Sequence, residues 1–278
     1  MNTSAAKREE NVIYTYLRSM ELEEKRRPMK DYMEILQRYI TPELRGKLVD
    51  WLVEVAEEYK LHNDTLHLAV SYIDIFLSSH PIRRINLELL GVSSFYIASK
   101  YEDITPPQVQ DLCFTTRDKF NKEEVQEMEN KILKTLDFDL SNPTVMTFLR
   151  QESAKSDSYL QFEFLTNYLA ELSLLDYDCL SFLPSLVAAS VVFLARIIFW
   201  PKSLPWTKAL QEYSEYKPVE LRECVLVLHD LHTSEKGASF KAIRTKYKQH
   251  EFEYVADLSS PPRLPSFLFG VTELDVVP

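Results

Sequence analysis

Three side chains that can bind a metal lie on one predicted helix in the second half of the sequence. Cys224, His229 and His232 share the segment from Leu221 to His232, and the two histidines could face the same side of a helix. Zinc sites usually have two ligand pairs at short spacings, and no second pair accompanies this one. We therefore interpret the three as core residues and predict that the chain binds no metal.

Four charged residues on otherwise apolar helices are stronger candidates for a functional site. They are Arg45, Asp74, Lys100 and Glu129. A buried charge without a partner costs several kcal/mol, so each must reach solvent or find a partner. From this pattern alone, four solvated positions and a set of paired charges both remain open.

Motifs typical of enzymes do not occur in the sequence. Glycine occurs only at positions 46, 91, 237 and 270, which leaves no glycine-rich phosphate loop or dinucleotide fingerprint. There is no nucleophile elbow or other triad signature. Acidic pairs such as Glu57-Glu58, Glu102-Asp103 and Glu123-Glu124 are typical of solvated faces. We predict a protein that is not an enzyme and needs no cofactor.

The charge balance favours a protein partner over a nucleic acid. The 278 residues include 42 acidic and 32 basic side chains, for a formal net charge of -10. Broad contact with phosphate backbones requires the opposite sign. The longest apolar stretch, Leu186 to Trp200, is interrupted by Ser190 and Arg196, so we expect no membrane partner. Three widely spaced cysteines predict no disulfide framework and fit a reducing compartment.

Helical periodicity and start signals predict an all-α chain. Thr41-Pro42 places a capping hydroxyl before a proline, and the segment from Leu44 to Tyr59 carries an apolar stripe. Four further helix starts are predicted, at Asn63, Asn86, Pro106 and Asn121. The sequence thus predicts five helices before Asn142-Pro143.

The second half of the chain repeats the first at a single offset. Three helical segments recur 96 positions later: Thr65 to Ser78 as Gln161 to Leu174, Glu88 to Lys100 as Pro184 to Arg196, and Val125 to Leu136 as Leu221 to His232. A shared offset over three helices and their connections is not expected from periodicity alone. We predict two tandem five-helix domains, because the period is too long for an array of short helical repeats.

The repeat predicts the domain boundaries. Residues 1–40 form an N-terminal helical extension, with an amphipathic segment from Lys7 to Glu24 and a short helix from Tyr32 to Tyr39. One side of the amphipathic segment is expected to carry Val12, Ile13, Tyr16, Leu17 and Met20. Residues 41–140 and 141–255 form the two domains, and residues 256–278 an extended or disordered tail. The second domain has Arg196 and Val225 in place of Lys100 and Glu129, so any function of that pair belongs to the first.

Several stretches resemble the cyclin box of mitotic cyclins. Leu44 to Val55 reads LRGKLVDWLVEV and Ala98 to Asp103 reads ASKYED. Glu171 to Leu174 looks like the second cyclin fold of A-type members, so the resemblance covers about residues 10 to 255, and Lys25 to Met29 resembles plant A-type cyclins in particular. The resemblance implies two tandem five-helix cyclin folds plus an N-terminal helix.

The resemblance implies a regulatory subunit that binds and activates a cyclin-dependent Ser/Thr protein kinase and so controls cell-cycle progression. Lys100 and Glu129 would hydrogen-bond backbone groups of the kinase, and Arg45 and Asp74 would form a buried ion pair that fixes the first domain. Other positions that match the family's kinase contact surface are Glu102, Asp103, Phe138, Leu140, Ile13 and Tyr16. Such a protein is expected in the nucleus and the cytoplasm.

The resemblance also implies a groove that recruits substrates or inhibitors through Arg-x-Leu peptides. Its positions are Leu44, Leu48, Trp51, Glu54, Arg84, Leu87 and Glu88. In the family the acids meet the arginine and the apolar residues hold the leucine. Lys47 stands where A-type members usually carry an aliphatic residue, which adds a cation to a groove that must accept one. We expect docking to be weaker or altered.

Two other functions remain open from the sequence. A transcription-type protein could use the same duplicated fold to bind nucleic acid or a polymerase, although the acidic balance and the lack of a basic stripe argue against it. A helical scaffold without a kinase partner is the other alternative.

Overall fold

The computed structural model describes residues 3–153, 159–234 and 240–270, which form α-helices and short 3-10 turns without any strand. The predicted all-α class is thus confirmed. Contacts divide these residues into two units. The N-terminal unit comprises residues 19–144 and 174–181, and the C-terminal unit comprises the described residues of 1–18, 145–173 and 182–278. The predicted extension 1–40 is thereby divided between the two units.

Helix α1 (Thr3–Glu21) begins the described chain. The N-terminal unit then contains α2 (Tyr32–Ile35), α3 (Pro42–Tyr59), α4 (Asn63–Leu77), α5 (Leu87–Glu102), α6 (Val109–Thr115) and α7 (Lys122–Thr135). Helix α5 contacts α3, α4, α6 and α7. It is therefore the central helix of a five-helix bundle, with Leu90 and Phe95 fully buried at its core.

Side-chain caps fix the starts of two helices where the sequence predicts them. The Thr41 hydroxyl accepts a hydrogen bond from the Leu44 N–H at 3.3 Å at the start of α3. Asn121 and Glu124 form a capping box at the start of α7, with both backbone-to-side-chain bonds at 2.9 Å. These local bonds satisfy N–H groups that a helix leaves unpaired at its first turn.

Some predicted boundaries are wrong. Helix α6 begins at Val109 and not at Pro106, because the Gln108 N–H donates to the Asp111 carboxylate at 3.0 Å and so marks a later start. The helix predicted to reach Tyr39 ends at residue 35, and α1 ends at residue 21 and not at residue 24.

Gly91 determines how closely α3 and α5 approach. A Cβ atom at Gly91 would lie 2.7 Å from Cδ1 of Leu48, well inside the normal contact distance of carbon atoms. Ser94 and Ala98, farther along α5, are also fully buried. The small residues of α5 therefore permit the close helix packing that the sequence predicts.

The C-terminal unit contains α8 (Val145–Ser153), α9 (Leu160–Leu175), α10 (Pro184–Phe199), α11 (Lys208–Ser214), α12 (Pro218–Thr233) and α13 (Ala242–Tyr247). The last two residues of α9 are assigned to the N-terminal unit. Helix α10 contacts α8 and α12. Residues 3–18 of α1 join this unit. Tyr14 anchors them, because its ring packs edge-on against Phe148 and its hydroxyl donates to the Ser214 carbonyl at 3.2 Å.

The segment after Val255 differs from the predicted extended or disordered tail. It contains two 3-10 turns, at Val255–Asp257 and Ser266–Phe269. Phe269 is 2% exposed and stacks on Phe193 with ring centroids 5.2 Å apart. Proline content predicted an extended or disordered tail, whereas the buried aromatic ring holds the segment on the C-terminal unit. Residues 271–278 of the predicted tail lie outside the described residues.

Within the described ranges, no helix combines the length and the apolar character needed to cross a membrane.

Candidate functional site

The first pair of candidate charges lies in the core of the N-terminal unit. Arg45 and Asp74 are each 1% exposed. The guanidinium donates from Nε and one terminal nitrogen to the two carboxylate oxygens, both at 2.7 Å, and from the other nitrogen to the Leu174 carbonyl at 2.7 Å. Burial by itself favours the neutral form, but the Asp74 carboxylate outweighs it and raises the pKa of Arg45. The arrangement is a bidentate ion pair in which each guanidinium nitrogen makes a hydrogen bond.

Tyr32 is a third member of this buried cluster that sequence reasoning did not include. Its hydroxyl donates to Asp74 Oδ1 at 2.8 Å. Burial and the neighbouring carboxylate raise the pKa of Tyr32 well above its ordinary value. The hydroxyl therefore stays protonated as a donor, and it ties the segment before α3 to α4.

The second pair of candidate charges, Lys100 and Glu129, forms an ion pair at the surface of the N-terminal unit. Lys100 lies in the last turn of α5, with its side chain 38% exposed, and Glu129 lies within α7, with its side chain 14% exposed. Lys100 Nζ also lies 4.0 Å from the ring centroid of Tyr96. An ammonium has more donors, and a carboxylate more acceptor sites, than this single contact uses. The pair can therefore bind further polar groups of another molecule.

An exposed aromatic ring follows α7. Asp137 and Phe138 have positive φ angles of 50° and 58°, and Phe138 is 67% exposed. The turn is held by a hydrogen bond from the Phe138 N–H to the Leu133 carbonyl at 2.9 Å. Leu140 is half-buried, and its carbonyl accepts from the Tyr72 hydroxyl at 2.8 Å. The strained turn thus presents an apolar ring to solvent on a fixed backbone.

The residues after Lys100 combine a structural acid with an exposed apolar side chain. Asp103 accepts hydrogen bonds from the His62 N–H at 3.0 Å and the Thr65 hydroxyl at 2.6 Å, so its carboxylate caps the start of α4. Glu102 is half-buried. Ile104 is 100% exposed and was not predicted as a site residue. Its position in the sequence, as a single isoleucine between an acidic pair and a Pro-Pro pair, could have indicated an exposed apolar contact residue.

Ile13 and Tyr16 lie on α1, within the C-terminal unit, and are 48% and 62% exposed. Met20 lies one turn beyond Tyr16 on the same side of the helix, as predicted, but it is buried. Tyr14 is the buried residue of this part of the helix. The two predicted contact residues therefore belong to its solvent-facing side.

An open groove of about 570 Å³ lies along α3 and the start of α5. Six of the seven predicted docking residues line it, with three additions; the lining is Leu44, Lys47, Leu48, Trp51, Arg84, Ile85, Leu87, Glu88 and Lys119. Glu54 is exposed and is not part of the lining. Leu48 and Leu87 are buried, so they form an apolar floor below polar walls.

Glu88 in the lining and the nearby Glu43 are each bound by a lysine. Glu88 pairs with Lys119 at 2.6 Å and Glu43 pairs with Lys47 at 2.5 Å. The hydrogen bond from Lys47 lowers the pKa of Glu43. The Arg84 side chain makes no ion pair or hydrogen bond with the part of the chain that the structure describes, although its charge also helps to lower the pKa of Glu43. The charged group that remains available in the groove is therefore a cation.

The candidate metal ligands of α12 are engaged in the core of the C-terminal unit. His229 and His232 donate from Nε2 to the carbonyls of Pro261 and Leu258, at 2.8 and 3.0 Å. Burial lowers the pKa of His232 to about 4 and raises the pKa of Cys224 to about 12. Among the described residues no three His, Cys, Asp or Glu side chains converge on a metal-sized site.

Family models match nearly the whole chain. The N-terminal domain of cyclins matches residues 12–141, and the C-terminal domain of cyclins matches residues 143–261. The chain is 52% identical to Cyclin-A3-2 of Oryza sativa subsp. japonica over 94% of this chain and 69% of that protein. It is 54% identical to the putative cyclin-A3-1 of Arabidopsis thaliana over 92% and 73%. The chain belongs to the A-type cyclins.

Solved structures of low sequence identity share the fold of this cyclin. A viral cyclin from herpesvirus saimiri superposes with a TM-score of 0.69 at 22% identity, over 79% of this chain and 96% of that one. A chain of the yeast RNA Pol II CTD kinase CTDK-1 complex has a TM-score of 0.58 at 13% identity, over 84% and 82%. Cyclins are non-catalytic regulatory subunits of kinases, so this cyclin acts in cell-cycle regulation and is not an enzyme.

Proposed function

We propose that this cyclin binds and activates a cyclin-dependent Ser/Thr protein kinase through the surface that carries Lys100 and Glu129. The observation that supports the proposal is their partly exposed ion pair, which has donors and acceptors to spare. Phe138 and Ile104 follow the two helices that carry the pair and are strongly exposed. Apolar side chains around a few charged anchors are typical of the centre of a protein interface.

The proposed mechanism is a shift of the kinase population. Lys100 and Glu129 hold backbone groups of the kinase's mobile regulatory helix, and Glu102, Asp103 and Leu140 of the N-terminal unit and Ile13 and Tyr16 of α1 add contacts. The cyclin binds most tightly to the kinase conformation with that helix turned inward, where the catalytic Lys–Glu pair can form. The population shifts because only this conformation gains the contacts. Catalysis stays with the kinase.

Charge reversal tests this proposal. Lys100→Glu and Glu129→Lys each replace one anchor, and the double variant Lys100→Glu/Glu129→Lys restores an ion pair within the cyclin with its polarity inverted. Lys131→Glu is the matched control, because Lys131 is an exposed lysine on α7 that pairs with Glu127 at 2.8 Å. Affinity for a purified cyclin-dependent kinase and histone-kinase activity are measured for each variant, after circular dichroism has established that it is folded.

We expect each single reversal to weaken kinase binding by about 3 kcal/mol, or roughly a hundredfold, since one anchor is left facing the wrong charge. The control should bind normally. The double variant should remain inactive, because each anchor contacts a fixed polar group of the kinase. Recovery of kinase binding in the double variant would show that the pair serves only the internal structure of the cyclin. Normal activation by both single variants would refute the proposal.

We also propose that the groove recruits substrates or inhibitors to the kinase. The resemblance implies that these partners bind through Arg-x-Leu peptides. Its apolar floor and open shape support the binding of an extended peptide.

The cyclin is proposed to act in the nucleus and cytoplasm, without contact to nucleic acid or membrane. The net charge of -10 supports the exclusion of nucleic acid. Imaging of a fluorescent fusion and a salt-dependent DNA shift assay test these two points.

A further inference from the structure

The Phe138 turn (residues 137–141) is held from outside α7 by Lys25 and Arg26. We propose that Arg26 is a positioning residue, which fixes this turn through Asp139 so that the Phe138 ring meets the kinase in one orientation. The inference rests on the proposed kinase contact of that ring. Arg26 acts within the cyclin and not on the kinase.

The Phe138 turn has an unfavourable local conformation. Asp137 and Phe138 have positive φ angles of 50° and 58°, which residues other than glycine adopt only at a cost. The N–H groups of Phe138 and Asp139 donate to the carbonyls of Leu133 and Leu136, both at 2.9 Å. The Phe138 ring is 67% exposed, so it adds little packing of its own. Contacts from elsewhere are therefore needed to keep the ring in one place.

The Asp139 carboxylate, directly after the exposed ring, receives these contacts. Two terminal nitrogens of Arg26 donate to its two oxygens. The Lys25 ammonium lies 3.1 Å from Oδ2, and the Ser141 hydroxyl donates to Oδ1 at 2.8 Å. The hydrogen bonds from Ser141, Lys25 and Arg26 lower the pKa of Asp139 well below its usual range. The carboxylate is thus charged at neutral pH, and it pairs with both cations.

Arg26 also binds the far end of the turn. Its Nη1 donates to the Ser141 carbonyl at 3.2 Å and to Asn142 Oδ1 at 3.4 Å, and its Nε donates to Glu23 at 2.9 Å. The Arg26 side chain is 9% exposed, compared with 54% for Lys25. A planar guanidinium that is bound on two sides has little freedom to turn. Arg26, more than Lys25, therefore determines where the turn lies.

Loss of this clamp lowers the fraction of the cyclin that can bind the kinase. The apparent dissociation constant rises as the inverse of that fraction. A partly exposed ion pair shifts such an equilibrium by up to about fivefold, and the further hydrogen bonds of Arg26 to the turn bring the factor to about tenfold. Arg26→Met keeps the aliphatic part of the side chain and removes the donors, so it should weaken kinase binding roughly tenfold.

A first measurement tests the clamp without any kinase. Chymotrypsin cleaves after aromatic residues, and mass spectrometry follows cleavage after Phe138 in the folded full chain. Arg27→Met is the matched control, because Arg27 is exposed and its side chain makes no hydrogen bond or ion pair with the described residues. We expect cleavage about five to ten times faster in Arg26→Met, since the turn must open to enter a protease, and unchanged in the control.

A second measurement is a double-mutant cycle on the affinity for a purified cyclin-dependent kinase. Arg26→Met should weaken binding about tenfold in the native background but by no more than about threefold in the Phe138→Ala background, because a positioning residue acts through the residue it positions. A merely structural residue would lower the urea midpoint without this coupling. Arg26→Lys keeps the charge but not the planar fork, and it should fall between wild type and Arg26→Met in both measurements.

Two results would overturn the inference: cleavage after Phe138 at the native rate in Arg26→Met, or an equal loss of affinity in both backgrounds. Circular dichroism establishes that each variant is folded. Lys100→Glu in the same binding assay reports on the proposed kinase surface alone. Failure of the kinase proposal is therefore distinguished from failure of the clamp, which the cleavage rate measures separately.

Discussion

The substitution Asp74→Asn tests how the N-terminal unit is held together. Asparagine keeps the size of the side chain but removes the charge opposite Arg45. In the native chain the Asp74 carboxylate accepts three hydrogen bonds, at 2.7, 2.7 and 2.8 Å, from Arg45 and Tyr32. The variant therefore leaves a guanidinium that is 1% exposed without a counter-charge.

The expected loss follows from that burial. Removing one partner of a buried ion pair typically costs about 3–5 kcal/mol, because the remaining charge keeps its full desolvation penalty. Total stabilities are about 5–15 kcal/mol, so the loss is a large fraction of what holds the unit folded. For a chain of this size, it corresponds to a fall in melting temperature of roughly 6–20 °C.

Urea unfolding followed by circular dichroism measures the effect. Glu127→Gln is the control, since Glu127 pairs with Lys131 at 2.8 Å and its side chain is 70% exposed. That change should leave the urea midpoint nearly unchanged, because the ion pair is exposed to solvent. The double variant Arg45→Met/Asp74→Leu should be more stable than Asp74→Asn, because it leaves no buried charge. A loss below about 1 kcal/mol for Asp74→Asn would refute the reasoning.

The C-terminal unit offers two further predictions. Burial lowers the pKa of His232 from 6.5 to about 4, so the unfolded chain gains a proton first as pH falls. The contribution of neutral His232 to the free energy of unfolding is therefore fully present above about pH 6.5. It is lost as the pH falls towards 4, by up to about 3 kcal/mol. His232→Gln should reduce the dependence of urea midpoints on pH. Phe269→Ala should cost about 3–5 kcal/mol by removing a buried ring.

Each of these two predictions has its own comparison. If wild type and His232→Gln lose equal stability between about pH 7 and about pH 5, other groups cause the dependence. Phe267→Ala is the control for Phe269→Ala, because Phe267 is 74% exposed two positions away and should cost less than about 0.5 kcal/mol. Equal effects of the two substitutions would contradict the packing of Phe269.

Much of the fold and the choice of candidate residues could be predicted from the sequence, because the relevant signals are local. The hydroxyl of Thr41 and the capping box at Asn121 act within one helical turn, and both occur where they were predicted. The 96-residue offset depends only on helix and loop lengths. Charges on apolar helices are visible without knowing their partners. These features predicted two helical domains and named Lys100 and Glu129.

The partners of those charges were decided only by the tertiary structure. Tyr32 reaches Asp74 from 42 positions away, and Lys119 occupies Glu88 from 31 positions away. Neither contact has a local signal, because it depends on how helices cross and on which rotamer spans the gap between them. The same holds for Phe269, which is buried although the sequence predicted an extended or disordered tail there. Periodicity shows which residues lie on a helix face, but long-range packing determines what that face meets.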